Sequence, residues 1–265
     1  MEREVPLKTS LEVTKIRRTC RLIESILLEM KAHLRPGVTT HELNAECSEL
    51  LIAGGSTPAM RGYRGYPAAI CTSVNNVAAH GVPGPYVLRP DDVLTIDISA
   101  EIGGWFGDGA WTYIVGKGDP DTRRLLRASW QATMAGVRTA LAGARLGDVG
   151  AAVGEAARRF GCTVLDKFVG HGIGLGMHEE PMVLNFGTAG TGHPIVPGMV
   201  LTVEPIVCLG KPDVHVLSDG WSIVTDDNSL CAQFEHTLAV FRDRTEVLTL
   251  SGDSSLTSAE LPPYY

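Results

Sequence analysis

Apolar side chains recur along the start of the chain at Ile16, Cys20, Ile23, Leu27, Met30 and Leu34, in steps of four and three that mark one helix face. Ser10 is the predicted N-cap of this helix, and Pro36-Gly37 stops it. A second helix opens at Thr39, where a hydroxyl followed three residues later by Glu42 makes a capping-box signature. It carries Leu43, Cys47, Leu50 and Leu51 and ends at Gly54-Gly55. A loop bearing Tyr63 and Tyr66 follows, then a predicted strand around Ala69-Ile70-Cys71-Thr72. A turn-rich connection, residues 75–84, then embeds His80 among small residues.

The next stretch reads as two strands around Gly103-Gly104. If the glycines form a two-residue hairpin loop, Ile102 faces Trp105, Asp97 faces Ala110, and Asp108 falls on the same face as Asp97. The two acids are then diagonal neighbours, with Cα atoms roughly 7–8 Å apart. Ionised side chains at that separation repel unless a cation lies between them. Taken alone, two outward acids on a solvated hairpin would be an equally good reading.

Further on, a third helix starts near Asp119-Pro120-Asp121 and shows Leu126, Trp130, Met134, Val137 and Leu141. A fourth follows Gly147-Asp148 with Val149, Val153 and Phe160. Strands are predicted at 199–208, 221–225, 233–240 and 247–250, and the Ser- and Pro-containing stretch 251–265 reads as a loosely held tail. The helix-helix-strand order thus occurs twice. Laying Leu43 on Val149 and Cys47 on Val153 brings Asp97 one position short of Glu204, so the chain reads as two similar halves with a site on the axis between them.

The totals narrow the function classes. A chain of 265 residues, 44% hydrophobic, can bury a large core, and nothing in its middle reads as a linker, so one domain over 1–265 is expected. A net charge of −7 with interspersed acids and bases argues against a nucleic-acid-binding face. Six cysteines without a C-x-x-C pair read as core thiols, and no segment has the length and apolarity of a leader or membrane span. A reducing cytoplasm is the expected setting.

Three later segments change the reading of the aspartates. His171 lies in Gly170-His171-Gly172-Ile173-Gly174, Glu204 in Leu201-Thr202-Val203-Glu204-Pro205, and Glu235 in Gln233-Phe234-Glu235-His236-Thr237. The glycines do not fit G-x-G-x-x-G, and are expected to let the backbone pass close to a ligand while His171 points inward. His178-Glu179-Glu180-Pro181 is not H-E-x-x-H, since Pro181 opposes the helix that motif needs. Glu204 and Glu235 read as lying within apolar strands, where a carboxylate is costly to bury unless protonated or cation-bound. Four carboxylates and one imidazole suit Mn, Fe, Co or Zn in a dinuclear centre, which would also offset four negative charges.

With these residues in this order the chain resembles the type I methionine aminopeptidases from about residue 9 to residue 250. The resemblance rests on Gly65-Tyr66-Pro67, His80-Gly81-Val82-Pro83, Ile96-Asp97, Gly107-Asp108, the His171 segment, His178-Glu179-Glu180-Pro181, Pro197-Gly198-Met199, Glu204-Pro205, Asp219-Gly220-Trp221 and Glu235-His236-Thr237. It implies a pita-bread fold of the α+β class, two pseudo-symmetric halves around a curved antiparallel sheet covered by helices. It implies that Asp97 chelates one of two divalent metal ions, that Asp108 and Glu235 bridge both, and that His171 and Glu204 complete the other. Catalysis would fall to Glu204 as proton shuttle, with His80 and His178 positioning the peptide. The methionine pocket would draw on Tyr63, Tyr66, Cys71, Met177 and Trp221, with Met60 nearby.

The implied substrates are nascent polypeptides beginning with methionine followed by a small residue, met with or without a ribosome contact, and the implied state is monomeric. Met60, Arg64 and Met177 depart from the residues common in that family, and Gly109-Ala110 stands where relatives often carry hydroxyls. Two rivals follow. A proline-specific aminopeptidase or dipeptidase would share the fold but usually carries a sizeable N-terminal domain, whereas about nine residues precede the first helix here. A non-catalytic peptide-binding module would have lost ligands, and all five are present.

Overall fold

The computed structural model describes residues 4–251, so all of the predicted tail except Ser251 lies outside the described residues. Helix α1 (Ser10–His33) buries Ile16, Cys20, Ile23, Leu27 and Met30 as the periodicity predicts. Each fully buried aliphatic side chain contributes about 1.5–3 kcal/mol. Its cap is Thr9 and not Ser10. The Thr9 hydroxyl accepts from the Glu12 N–H at 3.3 Å, and the Glu12 carboxylate accepts from the Thr9 N–H at 2.7 Å, so the box closes one residue earlier than expected. Helix α2 (Thr40–Ala53) is capped by Thr39 and Glu42 as expected and ends at Gly54.

Helix α3 (Pro120–Thr139) is capped by Asp119, whose carboxylate accepts from the Thr122 N–H at 2.7 Å. It stops before Leu141, which is exposed instead of closing the apolar stripe. Helix α4 (Leu146–Arg159) takes Gly147 and Asp148 into its first turn, so it begins earlier than predicted; the Asp148 carboxylate accepts from the Arg145 N–H at 2.7 Å.

The strands pair antiparallel wherever they meet. The longest ladder joins Val93–Ile102 to Trp105–Ile114 in the predicted register, Ile102 opposite Trp105 and Asp97 opposite Ala110. Gly103 and Gly104 both have positive φ, +59° and +83°, which the tight two-residue turn requires. Two predicted strands begin later than expected: Cys71–Val74 replaces 69–72, and Ile223–Thr225 replaces 221–225. The predicted strand 247–250 is found earlier, at Thr245–Val247.

Helix α1 packs on the hairpin, and α3 packs on the strands Ile206–Cys208, Cys231–Gln233 and His236–Val240. Each half therefore offers a helix pair on the outside and strands on the inside. The six cysteines are buried and free, in keeping with core thiols, although Cys71 also reaches the cleft described below. Among the described residues no helix is long and apolar enough to cross a membrane.

Candidate metal centre and cleft

The hairpin sets the first two acids. In its register Asp108 stands opposite Ser99, two positions along from Asp97 on the same face. The Ser99 hydroxyl donates to Asp108 Oδ1 at 2.9 Å, and the Gly109 N–H donates to the same oxygen at 3.0 Å. Asp97 is flanked by Ala110 on one side and Cys71 on the other. Its Oδ1 is buried without a hydrogen-bond partner.

The glutamates do not lie within strands, as the apolar runs suggest, but at breaks in them. The strand Val200–Val203 ends before Glu204, and Ile206–Cys208 begins after Pro205; on the facing chain Cys231–Gln233 stops before Phe234-Glu235, and His236–Val240 resumes. The register carries straight through the break, with His236 opposite Val203 and Gln233 opposite Ile206, so Glu235 and Glu204 face each other across it. Proline has no N–H for the ladder. The Glu235 N–H turns instead to the Ala110 carbonyl of the hairpin at 2.8 Å. The Thr237 hydroxyl donates to the Asp108 carbonyl at 2.7 Å and so holds the other half against the same strand. These cross-bonds bring Asp108 and Glu235 together although they are far apart in sequence.

His171 enters from the strand Val169–Gly172. Its Nδ1 lies 2.9 Å from the Gly172 carbonyl, an acceptor only, so Nδ1 carries the proton and Nε2 presents a lone pair. That lone pair points at Glu204 Oε1, 3.4 Å away, and at Asp108 Oδ2, 3.8 Å away. Two of the glycines around it let neighbouring backbone approach closely. A Cβ on Gly170 would come within 2.4 Å of the Thr202 carbonyl oxygen, and one on Gly172 within 2.2 Å of that of Glu180.

Burial leaves these acids in need of protons or a cation. Burial pushes Asp97 up to about 7 and Glu204 to about 8. Asp108 and Glu235 rise well above the usual carboxylate range, first through burial and then through charged neighbours, Asp97 and Glu204 for Asp108, and Asp108, Glu204 and Asp97 for Glu235. Burial, followed by His178, drives His171 down to about 3. An imidazole lone pair facing carboxylates that resist ionisation, with Asp97 Oδ1 and Glu235 Oε1 unpartnered, is a donor set fitted to hard or borderline divalent ions. Donor atoms of Asp108, His171 and Glu235 all lie within 4.8 Å of one another.

All twelve predicted site residues line one cavity of about 160 Å³. Tyr66 and Cys71 form its apolar wall with Met60 and Trp221; the Tyr66 and Trp221 rings meet edge to face with centroids 5.2 Å apart. Met177 is buried. His178 stacks on Tyr63 at 5.2 Å, and the Tyr63 hydroxyl lies 2.9 Å from its Nδ1. Partial burial, then Arg64 and His80, hold His178 down to about 4. His80, at φ +53°, opens onto the cleft and is lowered by burial on its other sides. Two supporting residues escaped sequence reasoning, Ser99 and Thr202. The Thr202 hydroxyl donates to Glu204 Oε1 at 2.6 Å and accepts from the His171 N–H at 2.9 Å. Each lies two residues from an acid of the set, Ser99 from Asp97 along one strand and Thr202 from Glu204 just past a strand end.

Residues 14–241 match metallopeptidase family M24. The chain belongs to that family. Within M24 it sits with the methionine aminopeptidases: it is 36% identical to methionine aminopeptidase 1 of Bacillus subtilis over 91% of this chain and 98% of that one. The crystal structure of methionine aminopeptidase from Rickettsia prowazekii superposes with a TM-score of 0.92 at 37% identity, covering 93% of this chain and all of that one. Prolidase from Pyrococcus furiosus, at 18% identity and a TM-score of 0.74, shares the fold alone. The M24 chain is thus a metal-dependent hydrolase with the pita-bread architecture, in which two strand-and-helix halves meet at the site.

Proposed function

We propose that the protein removes the initiator methionine from nascent polypeptides whose second residue is small. The observation that carries this reading is the placement of five ligand-type groups at the floor of a cavity walled by Met60, Tyr66, Cys71 and Trp221. A methionine side chain suits such a wall, since a thioether packs favourably against aromatic edges.

In this reading Asp97, Asp108, His171, Glu204 and Glu235 would hold two divalent ions, Co, Mn, Fe or Zn. When bound, such ions polarise the peptide carbonyl and make water nucleophilic near neutral pH. The remaining work belongs to side chains. Glu204, with one oxygen fixed by the Thr202 hydroxyl, carries a proton from the attacking water to the leaving amine. With the Tyr63 hydroxyl 2.9 Å away donating to its Nδ1, His178 would keep its proton on Nε2 and donate it to the peptide carbonyl. His80 orients the peptide beside it, and Tyr63 and Met177 complete the methionine pocket.

We further place this activity in one catalytic unit spanning residues 9–250, working as a monomer in a reducing cytoplasm, on chains leaving a ribosome and without direct nucleic-acid contact. Methionine release from Met-Ala-Ser, measured on protein loaded with Mn or Co and compared with Ala-Pro peptides, tests it. Release from Met-Ala-Ser alone is expected. Cleavage of Ala-Pro peptides alone moves the protein to the proline-specific class, and no release with any divalent ion rejects the reading.

A further inference from the structure

Arg64 sits at the mouth of the cleft in a conformation that side chains seldom adopt. The one-turn helix Tyr63–Gly65 holds it at φ +49°, ψ +21°, between Gly62 at +81° and Gly65 at +91°. A left-handed position is unfavourable for an ordinary L-residue. The turn enforces it through four backbone hydrogen bonds: Tyr63 N–H to Met60, Gly62 N–H to Tyr66, Gly65 N–H to Gly62, and Tyr66 N–H to Tyr63, at 2.8–3.1 Å. Strain held in place this way, beside a reactive cleft, points to a task for the side chain.

The guanidinium lies over the Tyr63 ring, 5.3 Å from its centroid, and Tyr63 in turn bonds His178. Arg64 is exposed and lines the cavity, and among the described residues it makes no ion pair. Asp219, near the same mouth, is occupied by the N–H groups of Trp221 and Ser222 and by the Ser222 hydroxyl. Among the described residues Arg64 is the only lysine or arginine lining the cavity. Four carboxylates holding two divalent ions balance to about zero, which leaves the guanidinium uncompensated where the substrate leaves the cleft.

We propose that Arg64 selects polypeptides carrying an acidic side chain at the third residue. This rests on the methionine aminopeptidase reading. With the first residue in the pocket and the chain extended, the third residue lies roughly 7 Å further out, on the mouth side. A planar guanidinium already stacked on a ring loses little freedom on taking a carboxylate, and it can do so with two parallel hydrogen bonds.

The test compares kcat/KM for Met-Ala-Glu-Ser, Met-Ala-Gln-Ser and Met-Ala-Lys-Ser with Mn-loaded protein at low and high salt. The Glu peptide is expected to exceed its Gln isostere by about fivefold at low salt, as for a solvent-exposed ion pair. The Lys peptide is expected to fall below both, and the differences to shrink as salt rises. In Arg64→Asn, which tolerates the left-handed backbone, the Glu-to-Gln ratio is expected to drop to about one while the Gln peptide is still cleaved. Arg64→Lys, which keeps the charge, should retain most of the preference. A ratio near one in the parent protein, an unchanged ratio in Arg64→Asn, or equal losses on all three peptides would overturn the proposal and leave the aminopeptidase reading intact. No release from any peptide overturns both.

Discussion

Lys8 and Glu179 form an ion pair almost wholly hidden from water, with side chains 6% and 12% exposed and 171 positions apart in the chain. The Glu179 carboxylate also accepts from the Gly176 N–H at 2.9 Å and thereby closes the turn that carries Met177 and His178. The Lys8 N–H donates to the Gly198 carbonyl at 2.7 Å, so the segment ahead of α1 is tied to the turn before Val200–Val203 as well as to Glu179. Gly174 makes this possible, since a Cβ there would stand 2.3 Å from Lys8 Cε.

Removing one partner strands a charge in a dry place. Lys8→Met should therefore lower stability by about 3–5 kcal/mol. Lys8→Met with Glu179→Gln should be less destabilised than Lys8→Met alone. Urea denaturation of the three proteins checks the order, and equal midpoints for Lys8→Met and the parent would contradict it.

The acids of the site make the metal-free protein sensitive to alkali. Asp97 and Glu204, pushed up to about 7 and about 8, hold protons in the folded chain that the unfolded chain has released above about pH 4. With more protons on the folded side, stability falls as pH rises. His171 and His178 are lowered to about 3 and about 4, and their opposing contribution is complete above the ordinary histidine value of about 6.5. The window from about pH 6.5 to 8 isolates the carboxylates. In chelator the melting temperature should decline across that window, and added Mn should raise it more at pH 8 than at pH 6.5. A metal-free melting temperature that climbs over the same range would count against the buried acid cluster.

A single hydroxyl serves two ligands. Thr202 holds Glu204 by donating and the His171 backbone by accepting, so Thr202→Val removes both bonds at once. Divalent-ion affinity should weaken about 10- to 100-fold, as when other groups that orient metal ligands are lost. The unpaired His171 N–H should cost a further 1–3 kcal/mol, roughly, in stability. Thr202→Ser should restore most of the affinity, measured by titration calorimetry, and no loss in the valine variant would show that the hydroxyl is idle.

Elements governed by short-range chemistry were legible in the sequence. The hairpin around Gly103-Gly104 could be placed to the residue because strand side chains alternate with period two and a two-residue loop leaves one register. The caps of the first two helices were readable to within a residue, and Thr9 displaced Ser10 because only Thr9 has an acid three positions on. The breaks at Glu204-Pro205 and Phe234-Glu235 were not legible. Their apolar neighbours are those of a continuous strand, and what diverts the backbone is the Ala110 carbonyl, a partner from the other half of the chain. The same holds for Gly170 and Gly172, whose bare Cα atoms answer to carbonyls of neighbouring strands. Lys8 showed nothing locally, since its partner lies in the opposite half.

Asp97, Asp108, His171, Glu204 and Glu235 are expected to converge on a shared pair of cations, which a crystal grown with Mn and measured at the Mn absorption edge would reveal. Two anomalous peaks are expected, with Asp108 and Glu235 touching both, Asp97 touching one, and His171 with Glu204 touching the other. A single peak outside this cluster, or none at saturating Mn, would contradict the account.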